Sequence, residues 1–197
     1  MPELKEQLGD AANILLGAPS MSQGTEAVCV DLLTQGPPGD VSVLWVSFRK
    51  PASQCLAEWR GEHDVDPASF GAIVVGETVG SDDAGEIDPQ AIQRISNPSD
   101  LTGIGIKVGE FVSGQTDQLV VCVDSLTALL QYVDLETAYE FVHALTGQLY
   151  SAGAVSHFHI DPTAHDPETI DTLLSLFDAS VDLSDGEPEI RTRYPLE

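Results

Sequence analysis

Residues 119–124 read Leu-Val-Val-Cys-Val-Asp, a near-continuous apolar run whose single charge stands at its end. Alternation is absent, so the strand it predicts is buried on both faces, as in the middle of a parallel sheet. Moving outward, Ser125–Tyr132 predicts a short helix. Asp134 then caps a longer one reaching about Ala152, with Glu136 and Thr137 in its first turn. Ala154–Asp161 is the next strand, and Asp166-Pro167-Glu168 opens a helix ending near Phe177. Ser180–Leu183 and Glu189–Tyr194 close the chain as two short strands around the turn SDGEP. On the N-terminal side, NILLG (13–17) predicts a short buried strand and Gln23–Gln35 a helix. GPPGD (36–40) is a turn, and VSVLWVSF (41–48) is a strand rich in β-branched and aromatic residues. Pro51 opens a helix through about Arg60, Ala72–Glu77 is a third strand, and Asp100 caps a helix over Leu101–Ser113. Residues 80–100, with GSDDAGEIDPQ and NPSD, predict a surface loop. The alternation predicts a single α/β domain spanning 1–197. Its sheet is doubly wound and mostly parallel, with helices on both faces and a C-terminal antiparallel hairpin.

The 197 residues carry 32 acidic against 8 basic side chains, a formal charge of −24, with 42% hydrophobic residues. That apolar share is too high for a disordered acidic chain, so the charge sits on the surface of a folded body. The cations (Lys5, Lys50, Lys107, Arg49, Arg60, Arg94, Arg191 and Arg193) are largely scattered. Direct binding of nucleic acid, which needs clustered cations, is therefore excluded, as is docking on an anionic membrane. Abundant acid with few lysines resembles the proteins of salt-accumulating haloarchaea, where molar salt screens charge over about 3 Å. No apolar run approaches the roughly 20 residues of a membrane span, and MPELKEQLGD lacks a signal pattern. A cytoplasmic protein is expected. Cys29, Cys122 and Cys55 lie in apolar contexts without a CxxC pair, which reads as structural thiols, with no zinc site or disulfide framework.

In such a sheet the first strand-to-helix turn is where phosphates bind. Here it reads Gly17-Ala18-Pro19-Ser20-Met21-Ser22-Gln23-Gly24-Thr25. Laid without gaps on GxxxxGK[ST], Gly17 matches. Ser22 stands for the second glycine, Gln23 for the lysine that reaches the β/γ-phosphates, and Gly24 for the hydroxyl that holds magnesium. Thr25 lies one place along. Asp124, followed by Ser125, ends the apolar strand where a carboxylate can orient magnesium, or where the pair can simply cap a helix.

Together these features resemble the RecA/KaiC-like ATPase superfamily, in particular its short, degenerate haloarchaeal members. GAPSMSQGTEAVCVDLL stands at the phosphate loop and first helix, VSVLWVSFRKP at the second strand, LVVCVDSLTALL at Walker B, and FDASVDLSDGEPEIRTRY at the closing hairpin. The resemblance implies a RecA-type sheet, ATP and magnesium as family cofactors, and ring or filament assembly. Active KaiC-like members carry a glutamate pair after the second strand to activate water. This chain has Arg49-Lys50 there. The departures point to a domain that needs no cofactor.

His157, His159 and Asp161 alternate along VSHFHID and share one strand face, with Phe158 and Ile160 on the other; His165 follows nearby. Such a set can bind zinc or iron. Alternate strand positions stand about 7 Å apart, however, which favours histidines hydrogen-bonded to their neighbours. Tyr132, Tyr139, Phe141, Leu145, Leu149 and Tyr150 mark a helix face, read first as core and second as a partner surface. Arg191 and Arg193 suit an edge strand. The expectation is a non-hydrolysing, regulatory KaiC-like domain acting through another protein or by self-association. The alternatives are a nucleotide binder or weak ATPase using Thr25, Asp124 and backbone amides, and a metal-dependent hydrolase using His157, His159 and Asp161.

Overall fold

A computed structural model of the chain describes residues 2–19, 24–77, 87–115, 118–185 and 188–193. In chain order the elements are α1 (Pro2–Leu8), β1 (Asn13–Gly17), α2 (Thr25–Leu33), β2 (Val41–Ser47), α3 (Ala52–Glu62), β3 (Ser69–Val75), β4 (Ile92–Ile95), α4 (Leu101–Ser113), β5 (Gln118–Asp124), α5 (Leu126–Leu129), α6 (Leu135–Ser151), β6 (Val155–Ile160), α7 (Pro167–Leu174), β7 (Ala179–Asp182) and β8 (Glu189–Thr192). The strands form one sheet in the order β4-β3-β2-β5-β6-β1-β7-β8. Every pairing is parallel except the last, where β8 runs antiparallel to β7. The mostly parallel doubly wound sheet and its closing hairpin are those the sequence predicts.

Burial explains the arrangement. All of β2 is buried, as is β5 from its second residue onward, and these two strands lie side by side in the middle of the sheet. Strands covered on both faces lose water from every side chain, which is why their sequences do not alternate. One apolar layer joins Leu44, Val46, Val121, Val123, Phe158 and Ile160 to α4–α7. The opposite layer joins Leu16, Trp45, Val120 and Cys122 to α1, α2 and α3 through Leu4, Leu8, Cys29 and Trp59. In β6, Phe158 and Ile160 thus face one layer while His157 and His159 face the other.

Two elements depart from expectation. Residues 92–95, read as part of a surface loop, form β4 at the sheet edge, paired with β3. Of its four residues IQRI only Ile95 is buried, and the stretch gives no periodic signal. Residues 2–8 form α1, a two-turn helix whose Leu4 and Leu8 are one turn apart and buried. On α6, Leu145 and Leu149 are in the core but Tyr150 (68% exposed) stands outside it, as does Tyr132 (52%) in the turn before the helix. Among the described residues, no helix is long and apolar enough to cross a membrane.

Candidate functional site

Four parallel strands, β2, β5, β6 and β1, end on one edge, and the loops leaving them diverge around a cleft of about 260 Å³. This is where ligands bind in open α/β sheets. Ala18 and Pro19 line it from β1, Thr25, Glu26 and Cys29 from α2, and Arg49 and Lys50 from the end of β2. Ser125, Thr127 and Gln131 line it from the segment after β5, and His159 and Asp161 from the end of β6.

Asp124 lies at the base of this edge and is 1% exposed. Because β2 pairs with β5 in register Ser47↔Asp124, the residues following β2 arrive directly above that carboxylate. Arg49 donates to its Oδ1 twice, from Nη2 at 2.6 Å and Nε at 3.0 Å. Lys50 Nζ stands 3.6 Å from Oδ2, which has no hydrogen-bond partner among the described residues. Lys50 also pairs with Glu58 of α3 at 2.7 Å. Burial works against the Lys50 ammonium, but the Asp124 carboxylate and Glu58 outweigh it and hold its proton above the ordinary lysine range. Burial pushes the Glu58 carboxyl up, against the pull of Lys50. Ser125, joined to Asp124 by a cis peptide, caps α5 by accepting from Ala128 N at 3.2 Å.

Of the loop residues, Ser22 and Gln23 lie outside the described residues. Gly17 ends β1, paired with Ile160 and Asp182 on either side. Gly24, where the phosphate-loop pattern needs Ser or Thr, has φ 87° and precedes α2. That left-handed backbone suits glycine and strains a side chain such as threonine at position 24. Thr25 begins α2 and faces the cleft.

The sequence reading missed a second cluster. His157 and His159 lie on one face as expected, but their rings lean together to 5.1 Å between centroids instead of standing a full strand repeat apart. The sulfur of Cys29 contacts both, at 3.1 Å from His157 Nε2 and 3.3 Å from His159 Nε2. Cys122 lies directly across from His157 in the β5–β6 register, its sulfur 3.7 Å from that of Cys29. Asp161 does not join them, because it lies past the strand end and its carboxylate accepts from Thr163 N and Oγ1. His165 is also elsewhere, its Nε2 bonded to Thr127 Oγ1 at 3.0 Å. Burial pushes the Cys29 thiol up. The Cys122 hydrogen bond and the electrostatic pull of the His157 and His159 rings overcome this and hold it well below the ordinary thiol value. Cys122 is pushed up by burial and by Cys29. Only the strand-face alternation of the histidines was visible in sequence. Cys122 enters through the β5–β6 register and Cys29 through the packing of α2 on the sheet.

Comparison with solved structures supports the fold. PH0250 from Pyrococcus horikoshii OT3 superposes with a TM-score of 0.65 at 14% identity, covering 97% of this chain and 91% of that one. The uncharacterised protein PH0321 from Pyrococcus horikoshii, crystallised with an unknown peptide, gives 0.64 at 15% identity, covering 98% and 89%. The flagellar accessory protein FlaH from Methanocaldococcus jannaschii gives 0.54 at 14% identity, covering 91% and 76%. These are RecA/KaiC-like folds, and the present sheet is of that class. No match to the sequence was found among curated proteins. A family model matches residues 11–183, so the chain belongs to DUF7504, a family of unknown function.

Proposed function

We propose that this chain is a RecA/KaiC-like domain that does not hydrolyse ATP and acts through protein–protein interaction in a regulatory role. The observation that carries the reading is the ion pair of Arg49 with Asp124. By resemblance, Asp124 stands at the Walker B position, where the carboxylate would orient magnesium. Here a guanidinium of the same chain takes one of its oxygens and Lys50 approaches the other. Arg49 and Lys50 also stand where active members have the glutamate pair, so the groups that would activate water are replaced by groups that neutralise the acid. The residues present do not fit Mg²⁺·ATP. Among the described residues, Arg49 is paired with Asp124 and Lys50 with Glu58, and the carboxylates of Glu26 and Asp161 also line the cleft, so neither cation is free to neutralise a triphosphate.

Tyr132, just before α6, and Tyr150, near the far end of that helix, are exposed aromatics of the kind enriched at protein interfaces. A peptide accompanies the similarly folded PH0321, which favours a protein ligand for this fold. The charge of −24 fits a salt-rich cytoplasm. Calorimetric titration with Mg²⁺·ATP in molar KCl tests the reading. The expected result is no affinity tighter than about 1 mM, roughly 4 kcal/mol. Micromolar binding lost in Asp124→Ala would instead establish the nucleotide-binding alternative. The partner is sought by co-purification in molar KCl, with a Tyr132→Ala/Tyr150→Ala variant expected to lose it.

A further inference from the structure

We propose that Cys29, Cys122, His157 and His159 form a closed tetrahedral site for a thiophilic divalent cation, zinc(II), which pins α2 to β5 and β6 beneath the cleft. Two sulfurs and two imidazole nitrogens are the donor set of structural zinc. One donor atom from each of the four residues lies within 4.8 Å of all the others. A tetrahedral ion with Zn–S of about 2.3 Å and Zn–N of about 2.0 Å sets its sulfurs about 3.8 Å apart and each sulfur about 3.5 Å from each nitrogen. The observed separations are 3.7 Å between sulfurs, and 3.1 and 3.3 Å from Cys29 to the two rings. The three separations at Cys29 thus lie within about 0.4 Å of those of a bound site, and the remaining donor pairs stand no more than 4.8 Å apart.

The surroundings favour an ion over a plain hydrogen-bonded cluster. All four side chains are buried in the layer that holds Leu16, Trp45 and Val120. Three of the polar contacts converge on the single sulfur of Cys29. A thiol has one weak donor and a weak acceptor, so it cannot satisfy three buried neighbours well. Zinc with two thiolates and two neutral imidazoles satisfies all four groups at once and is neutral overall, which suits a low-dielectric interior. A Cys29 thiol already biased towards the thiolate accords with this. Because the protein supplies all four positions, the ion has no open coordination site. Its role is structural, which distinguishes it from a hydrolase centre built on His157, His159 and Asp161. The proposal is independent of nucleotide binding.

The test is elemental analysis of the full chain purified with reductant and without chelator. It is expected to carry about one equivalent of zinc. Cys29→Ser/Cys122→Ser is expected to carry less than about a tenth of that, while Cys55→Ser, at a buried thiol outside the cluster, retains it. Replacing zinc by Co²⁺ in the wild-type protein should give the strong visible bands of a tetrahedral site together with thiolate-to-cobalt charge transfer. This second readout decides the matter even where the double variant does not fold. Three results would each overturn the proposal: a metal-free reduced wild type with no cobalt spectrum, zinc retained by the folded double variant, or a Cys29–Cys122 disulfide persisting under reductant.

Discussion

Arg49→Gln perturbs the one contact on which the reading of the cleft depends, and the structure sets its size. The Asp124 side chain is 1% exposed and that of Arg49 is 42% exposed, with two hydrogen bonds joining them at 2.6 and 3.0 Å. At about 3 Å and an effective dielectric of about 20, the Coulomb attraction is about 5 kcal/mol before desolvation. Stripping a partner from a fully buried pair costs about 3–5 kcal/mol. Here Arg49 keeps much of its water and Lys50 remains 3.6 Å from the stranded carboxylate, so the loss is smaller. We expect Arg49→Gln to cost about 2–3 kcal/mol, lowering Tm by about 4–12 °C for a chain of this size. Asp124→Asn is expected to cost less, because it leaves a half-exposed guanidinium that water can solvate, not a buried charge. Once Asp124 is neutral, Arg49→Gln should add little, so the double-mutant cycle should show about 2 kcal/mol of coupling. Thermal and urea unfolding at one fixed KCl concentration measure all four proteins, and salt screens a buried pair only weakly. A coupling below about 0.5 kcal/mol would refute the claim that Arg49 holds the Asp124 carboxylate.

Melting temperature is expected to rise steeply between about 0.1 M and 3 M KCl, since −24 formal charge repels itself when unscreened; a flat curve would remove the halophilic reading. Phe158 is fully buried, its ring edge-on to Phe177 at 5.2 Å. Phe158→Ala should therefore cost about 3–5 kcal/mol by equilibrium unfolding, and a loss under about 1 kcal/mol would contradict the packing described. The hydrogen bonds from Thr137 to Asp134 and from Thr169 to Asp166 hold these two N-cap carboxyls below the usual carboxylate range. Their folded pKa values are depressed, so their contribution is fully present above about pH 4 and is lost as pH falls through the folded values. Asp134→Asn with Asp166→Asn keeps cap acceptors and should flatten that acid limb of stability. An unchanged acid limb would mean that the caps do not produce it.

The frame of the molecule was legible because it is written in local signals. NILLG at 13–17 and LVVCVD at 119–124 are runs that only a doubly covered strand buries well. Asp100, Asp134 and Asp166 each accept the backbone bond that their N-cap positions implied. The missed elements lack such signals. β4 is four residues of which only Ile95 is buried, and α1 is a two-turn helix that depends on the layer it covers. The candidate site divides the same way. Asp124 announced itself as an acid at a strand end, and His157 and His159 as residues on one face. The partners of both came from register: Ser47↔Asp124 brings Arg49 and Lys50 over the acid, and Cys122↔His157 starts the sulfur–imidazole cluster. Strand neighbours 77 and 35 positions apart, as Ser47↔Asp124 and Cys122↔His157 are, leave no periodic trace in the chain.

Electrostatics argues against an anionic ligand in the cleft more directly than the loop pattern does. A phosphate site on this kind of sheet draws its anion with two things, a cationic side chain and the positive end of the helix after the first strand. Both are present here, and each is already answered from within. Arg49 is paired with Asp124, and Lys50 with Glu58. The N-terminus of α2 carries Glu26 in its first turn, so a carboxylate of the chain itself sits where an incoming phosphate would gain from the helix dipole. An anion entering the cleft would have to break one of these pairs before gaining anything, and it would approach through the field of a strongly acidic surface. A neutral or cationic ligand faces no such cost. Its gain comes from the carboxylates of Glu26 and Asp161 that line the cleft. On this reasoning the pairs Arg49–Asp124 and Lys50–Glu58 work against a nucleotide in the cleft.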